Sequence, residues 1–145
     1  MGRETKMKIN IENKVKNKKV EELKGILVNL ILKTLKKHNQ KFDEINIIFV
    51  NNNEIRKINK KYLSKNSTTD VISFSYADIS RMKFADIFIS TDTATKNASI
   101  YEINFETEII ILTLHGILHA IGFDDLSKNQ RIKMSKETLK ILKGE

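Results

Sequence analysis

The chain has 145 residues, a formal net charge of +8, and neither cysteine, proline nor tryptophan. That length suits one domain with one core. The missing cysteines exclude disulfides and thiolate metal sites, so any metal must use histidine and carboxylate ligands. No apolar run is long enough to span a bilayer, and the lack of cysteine suits a reducing, cytoplasmic setting. The basic excess fits a polyanionic partner such as RNA or DNA. A lysine-, asparagine- and isoleucine-rich bias would give the same charge without binding, and composition leaves both readings open.

Residues 1–6 lack the apolar core of a secretory signal. With Lys6 where Ser or Thr is needed, they also miss the myristoylation pattern. They read as a disordered extension before one domain over residues 7–145. Lys8 to Ile11 fits a short strand. Val20, Leu23, Ile26, Leu27, Leu30, Ile31 and Leu35 recur at helical spacing, which predicts a helix over 18–38. His38, at its end, suits the negative pole of the helix dipole and reads as a surface residue rather than a ligand. Ile45 to Val50 reads as a strand. Asn51-Asn52-Asn53 with Glu54 then opens a helix with Ile55, Ile58 and Tyr62 on its buried side. A polar loop from Ser64 to Thr69 precedes strands at Val71–Ser75 and Phe84–Ser90. Thr91, Asp92 or Thr93 is expected to cap a helix running to about Ser99. Phe105 to Ile121 reads as a long apolar helix, broken on one face by Glu108, His115 and His119. Ser127 caps a last helix with apolar Ile132, Met134, Leu139 and Leu142, and its lysines read as a solvated face. Strands alternating with helices predict an α/β layered domain: a mixed, mostly parallel four-stranded sheet beside a central helix.

The histidine helix carries the chemistry. His115 and His119 are four residues apart and share one helical face. Apolar residues surround them, so both imidazoles need partners. A bare pair of this kind fits two hydrogen-bonded core histidines as well as a metal site. Gly122 can end the helix in the left-handed region, and Asp124 or Asp125 can then turn back to add a carboxylate. Two imidazoles, one carboxylate and an open position make a catalytic zinc set. Gly116 stands where zinc proteases carry their general-base glutamate, which disfavours a peptidase. A missing side chain there also suggests room beside a metal for a bulky substrate.

His115-Gly116-x-Leu118-His119-x-x-Gly122-Phe123-Asp124 resembles the HGxLHLxGYDH signature of the YbeY family of endoribonucleases, also called rRNA maturation factors. Asn59-Lys60-Lys61-Tyr62 and Thr69-Asp70-Val71-Ile72-Ser73-Phe74 resemble that family's LNxxYR and TDVLSFP segments. Ala85-Asp86-Ile87-Phe88-Ile89-Ser90 resembles its GDIxIS strand. The likeness spans about residues 45–140. It implies a metal-dependent, single-strand-specific endoribonuclease acting on ribosomal RNA, near the 3′ end of the small-subunit RNA, and in ribosome quality control. It also implies one zinc ion per chain, in a cleft beside the sheet, with ribosomal RNA and the ribosome or its small subunit as partners.

Four positions depart from the family pattern. Asp125 stands where the family has its third histidine ligand, so the implied metal set is His115, His119 and Asp125, with Asp124 the alternative carboxylate. Leu63 stands where the family has an arginine; Lys60, Lys61 or Lys65 can supply charge there but not a bidentate fork. Ala85 replaces a glycine and Ser75 a proline. Asp70 reads as a loop carboxylate or as one that orients a ligand histidine. Ser73 and Asp86, on adjacent strands, read as cleft-lining or solvent-facing. Glu108, two turns before His115, either reaches the cleft or solvates the helix.

Overall fold

The structure is a computed structural model that describes residues 7–145, and the expected extension over 1–6 lies outside them. Chain order is β1 (Lys8–Asn13), α1 (Lys18–Lys37), β2 (Glu44–Val50), α2 (Asn52–Leu63), β3 (Val71–Ala77), β4 (Lys83–Ser90), α3 (Thr91–Tyr101), α4 (Phe105–Ala120) and α5 (Lys128–Leu142). Among the described residues the four strands form one sheet in the order β1-β2-β4-β3. β1, β2 and β4 run parallel, and β3 pairs antiparallel with β4 at the edge. This is the mixed, mostly parallel α/β layer that the alternating pattern predicts. No helix of the described residues is long and apolar enough to cross a membrane.

Strand alternation divides the sheet into two faces. Ile45, Ile47, Phe49, Ala85, Ile87 and Ile89 point to one side, where they form the main core with α1 and α4. Ile48, Val50, Ile72, Phe74 and Phe88 point to the other, under α2. The same alternation turns Asp86 away from α4. It accepts from Asn46 at 3.0 Å and from Tyr76 at 3.1 Å, and Asn46 in turn accepts from Asn10 at 2.8 Å. α5 closes the far side of α4, with Met134 and Ile141 against Leu114 and Leu118. Covered by sheet and helix, α4 is buried along most of its length.

Several local expectations are corrected. Ser90, not Thr91, Asp92 or Thr93, caps α3: its Oγ accepts from the Thr93 amide at 3.1 Å, while Thr91 is buried and donates to the Val50 carbonyl. Ile26 and Tyr62 are exposed, as are Ile132, Leu139 and Leu142 on α5. The buried stripe of α5 is instead Met134, Thr138 and Ile141, at i, i+4, i+7 spacing, and it faces both α4 and α1. His38 is no free surface residue: its Nε2 lies 2.7 Å from Glu137 Oε2, and its ring meets Phe123 edge-on.

Gly116 has a packing reason rather than a substrate-access one. A Cβ built there would lie 2.5 Å from Ile87 Cγ2 and 3.3 Å from Val71 Cγ2. The glycine faces the sheet, so its missing side chain opens no room in the cleft. It lets α4 approach β4 and β3, and its carbonyl accepts from Ser73 Oγ at 3.0 Å. Ile87 is fully buried and has nowhere to go. Gly116→Ala is therefore expected to destabilise the fold by about 1–3 kcal/mol through overpacking, partly offset by the better helix propensity of alanine. Urea unfolding of the two proteins measures this directly, and an unchanged midpoint with unchanged slope would refute it.

Candidate metal centre

The C-terminus of α4 ends in a turn that builds half of the site. The Gly122 amide donates to the His119 carbonyl at 3.0 Å, and the Phe123 amide to the Leu118 carbonyl at 2.9 Å. These two bonds are the Schellman pattern, with Gly122 at φ +107° as the residue that permits the reversal. Phe123 packs with Leu118 in the cluster beneath α5, the hydrophobic contact that accompanies such turns. The reversal aims the Phe123 carbonyl back at His119, 3.0 Å from Nδ1. A carbonyl only accepts, so Nδ1 carries a proton, and in the neutral ring the lone pair lies on Nε2. Two residues on, the chain brings Asp125 Oδ2 to 3.3 Å from that Nε2. Arg131 braces the loop from α5 by donating to the Asp125 and Leu126 carbonyls at 3.4 and 3.3 Å.

A lone pair and a carboxylate oxygen facing each other repel unless something positive lies between them. A second proton on His119 would do, and so would a cation. At ligand bonds of about 2.0–2.1 Å, a tetrahedral zinc ion holds two donor atoms about 3.3 Å apart. The outer N–H of the histidine bound to a backbone carbonyl is also the usual arrangement for a ligand imidazole. On donor chemistry and on this spacing, His119 and Asp125 fit a zinc ion. His115 is a third donor of suitable type, though it is not among the residues that line the cleft with His119 and Asp125. Its burial lowers the imidazole pKa below 6.5, against the opposing pull of Asp70, and so favours the neutral, ligating form. As the side chains lie, no three His or carboxylate groups among the described residues stand in an arrangement that could hold a metal ion.

His119, Asp124 and Asp125 line a cleft of about 520 Å³, together with Asp70, Ser73, Leu63 and Lys65. The cleft lies between the end of α4 and the loop joining α2 to β3. That loop is pinned by Asn59, which is buried and donates to the Ser67 carbonyl at 3.0 Å. Of the three lysines expected near RNA, Lys65 lines this cleft. Lys60 and Lys61 stand exposed on α2, with the Lys61 ammonium 5.2 Å from the Tyr62 ring centre. Asp86 is not brought here; it lines a separate groove with Tyr62, Phe74, Tyr76 and Phe88 on the other sheet face.

Asp70 and Glu108 form a second polar group behind the cleft. Glu108 is 2 % exposed and does not solvate its helix. Asn97 Nδ2 lies 3.0 Å from Glu108 Oε2 and 3.4 Å from Asp70 Oδ2. Burial raises the Glu108 pKa above 4.5, and the Asp70 charge adds to this, while the Asn97 hydrogen bond opposes it. Asn97 carries no signal in the sequence, since it is one polar residue on a mostly polar helix. The folded chain thus holds the Glu108 proton to higher pH than the unfolded chain does. Its contribution to stability is complete below 4.5 and is lost as pH rises through the raised value. Glu108→Gln removes that loss. The melting midpoint of the metal-free variant should gain on wild type as pH rises above 4.5, until the raised value is passed. A constant difference across that range would contradict the assignment. The acid-side loss from His115 is common to both proteins.

Comparison with known proteins agrees with this architecture. Residues 8–144 match the family model described as endoribonuclease YbeY. A relative from Elusimicrobium minutum, named endoribonuclease YbeY, is 40% identical over 112 residues, 74% of this chain and 78% of its own. One of the same name from Chloroherpeton thalassium is 34% identical over 131 residues, 90% of each chain. The solution structure of TM1509 from Thermotoga maritima superposes with a TM-score of 0.62 at 23% identity, over 96% of this chain and 90% of that one, and shares the fold. With the match running almost end to end, the chain belongs to the endoribonuclease YbeY family.

Proposed function

We infer that this protein is a metal-dependent endoribonuclease that cuts single-stranded ribosomal RNA. Its role would lie in small-subunit 3′-end maturation and ribosome quality control, in the cytoplasm, with the ribosome or its small subunit as partner. The observation that carries the reading is the His119–Asp125 pair, a lone pair and a carboxylate oxygen 3.3 Å apart with the imidazole tautomer set by a backbone carbonyl. Family membership supplies the substrate class, and the net charge of +8 suits a polyanion.

His115, His119 and Asp125 would hold one zinc ion. Bound there, zinc supplies a Lewis acid for a phosphoryl oxygen and acidifies water for attack. The protein's own groups then do the rest. Phe123 holds the His119 ring, Arg131 holds the loop that carries Asp125, and Asp70 stands beside His115 as its counter-charge. Lys65 offers a cation at the rim for a phosphate. Asp124 and Asp70 add acidic groups to the cleft lining, which would favour a cation bound among them.

Two observations favour a second reading, a binding module with a structural or vacant metal site. Leu63 offers no charge to the cleft it lines, and the three proposed ligands are not gathered as they lie. The test is cleavage of single-stranded ribosomal RNA with and without added zinc, at several salt concentrations. The enzyme reading requires zinc-dependent products, with RNA affinity falling as salt rises. RNA binding without products at full zinc loading would favour the binding module.

A further inference from the structure

Glu108 is a carboxylate sunk into the core on α4, two turns before His115. Fold stability alone does not call for it, since a well-packed apolar residue serves a buried position at least as well as a paired charge. Its surroundings suggest another use. Asn97 reaches across from α3 and places one amide nitrogen between Glu108 Oε2, at 3.0 Å, and Asp70 Oδ2, at 3.4 Å. Glu108 Oε2 and Asp70 Oδ2 both accept, and the nitrogen carries two N–H donors, so one amide can serve both acids. The bond to buried Glu108 fixes the direction of the amide, and the remaining N–H is left pointing at Asp70. Asp70 itself lies at the entry to β3, where its carbonyl accepts from the Ser90 amide at 2.9 Å, and it lines the cleft with His119. Its charge acts on both Glu108 and His115.

We propose that Asn97 is a positioning residue for the metal centre: anchored on Glu108, its amide holds the Asp70 carboxylate in place beside His115. Three elements meet in this clamp, namely α3, the first turns of α4 and the start of β3. The inference rests on the metal-centre reading above and adds a residue that the family motifs do not mark.

Zinc dissociation constants, measured by chelator competition, test it. Asn97→Ala and Asp70→Asn should each weaken zinc about 10-fold, as outer partners of metal ligands do. In the double variant the loss should stay within about two-fold of Asp70→Asn alone, because Asn97 acts through Asp70. Independent losses that multiply, or an unchanged constant in Asn97→Ala, would overturn the proposal. Glu108→Ala removes the anchor of Asn97 and should weaken zinc about as much as Asn97→Ala does, by about 10-fold; an unchanged constant would refute the anchoring role. Metal-free melting midpoints separate misplacement from unfolding. If Asn97→Ala does not fold, Asn97→Ser carries the same comparison. His115→Ala separates the two readings. If it leaves zinc affinity unchanged, the metal centre fails and the clamp with it. If it removes zinc while Asn97→Ala changes nothing, only the clamp fails.

Discussion

Replacing His119 with alanine is expected to lower zinc affinity by more than about 100-fold, since even outer partners of ligands cost about 10–100-fold. Zinc-dependent cleavage of single-stranded ribosomal RNA should fall by on the order of 10³-fold. That is what several kcal/mol of lost charge stabilisation amounts to. The fold should survive. His119 is partly exposed, and its loss frees one hydrogen bond, from Nδ1 to the Phe123 carbonyl, worth about 1 kcal/mol. The variant should therefore melt close to the metal-free wild type while failing to gain stability when zinc is added. Metal analysis of the purified variant decides the matter: zinc retained at wild-type stoichiometry and affinity would remove His119 from the site.

The second large effect is expected at Asp125, where alanine and histidine should act in opposite directions. Asp125→Ala removes the oxygen that lies 3.3 Å from His119 Nε2, and zinc binding should weaken by more than about 10-fold. Asp125→His exchanges a carboxylate for a neutral imidazole and raises the net charge of the site by one unit. The bound ion then becomes the stronger Lewis acid, and cleavage should rise by about 10-fold. Its activity should also extend to lower pH. The backbone needs no adjustment, because Arg131 holds the loop through the carbonyls of Asp125 and Leu126 rather than through the side chain. If wild type cuts no RNA at full zinc loading and the histidine variant does, the natural protein is the binding module. If Asp125→Ala keeps full zinc affinity, the carboxylate is not a ligand, and Asp124 on the same cleft is the next candidate.

Periodicity made the sheet and the central helix legible, because both are buried on faces that repeat at two or 3.6 residues. It failed where burial follows a partner and not a pattern. Leu139 and Leu142 look like core, yet α5 buries Met134, Thr138 and Ile141 and leaves them outside. Tyr62 fails in the same way on α2. At the site, the histidines and the glycine turn were readable because they are local in sequence. For Asp86 the sequence leaves cleft and solvent open, and strand alternation, with Ala85 and Ile87 turned to the core, sends it to the opposite face. The role of Gly116 is not legible locally, because its neighbours, Ile87 and Val71, lie far away in the chain. Asn97 was invisible for the same reason, since its partner Asp70 is 27 residues away.

The turn at Gly122 has a consequence for motion. Helix ends are where native proteins open first, by local unfolding that leaves the rest of the fold intact. Here the two hydrogen bonds from the Gly122 and Phe123 amides that close the helix also set the direction of the Phe123 carbonyl and the approach of Asp125 to His119. Fraying the last turn and dismantling the proposed cation site are thus one event. A bound ion must suppress that opening by the same free energy with which the opening weakens the ion. Slowed hydrogen exchange at the Gly122 and Phe123 amides would then serve as a gauge of occupancy at a metal that emits no spectroscopic signal of its own.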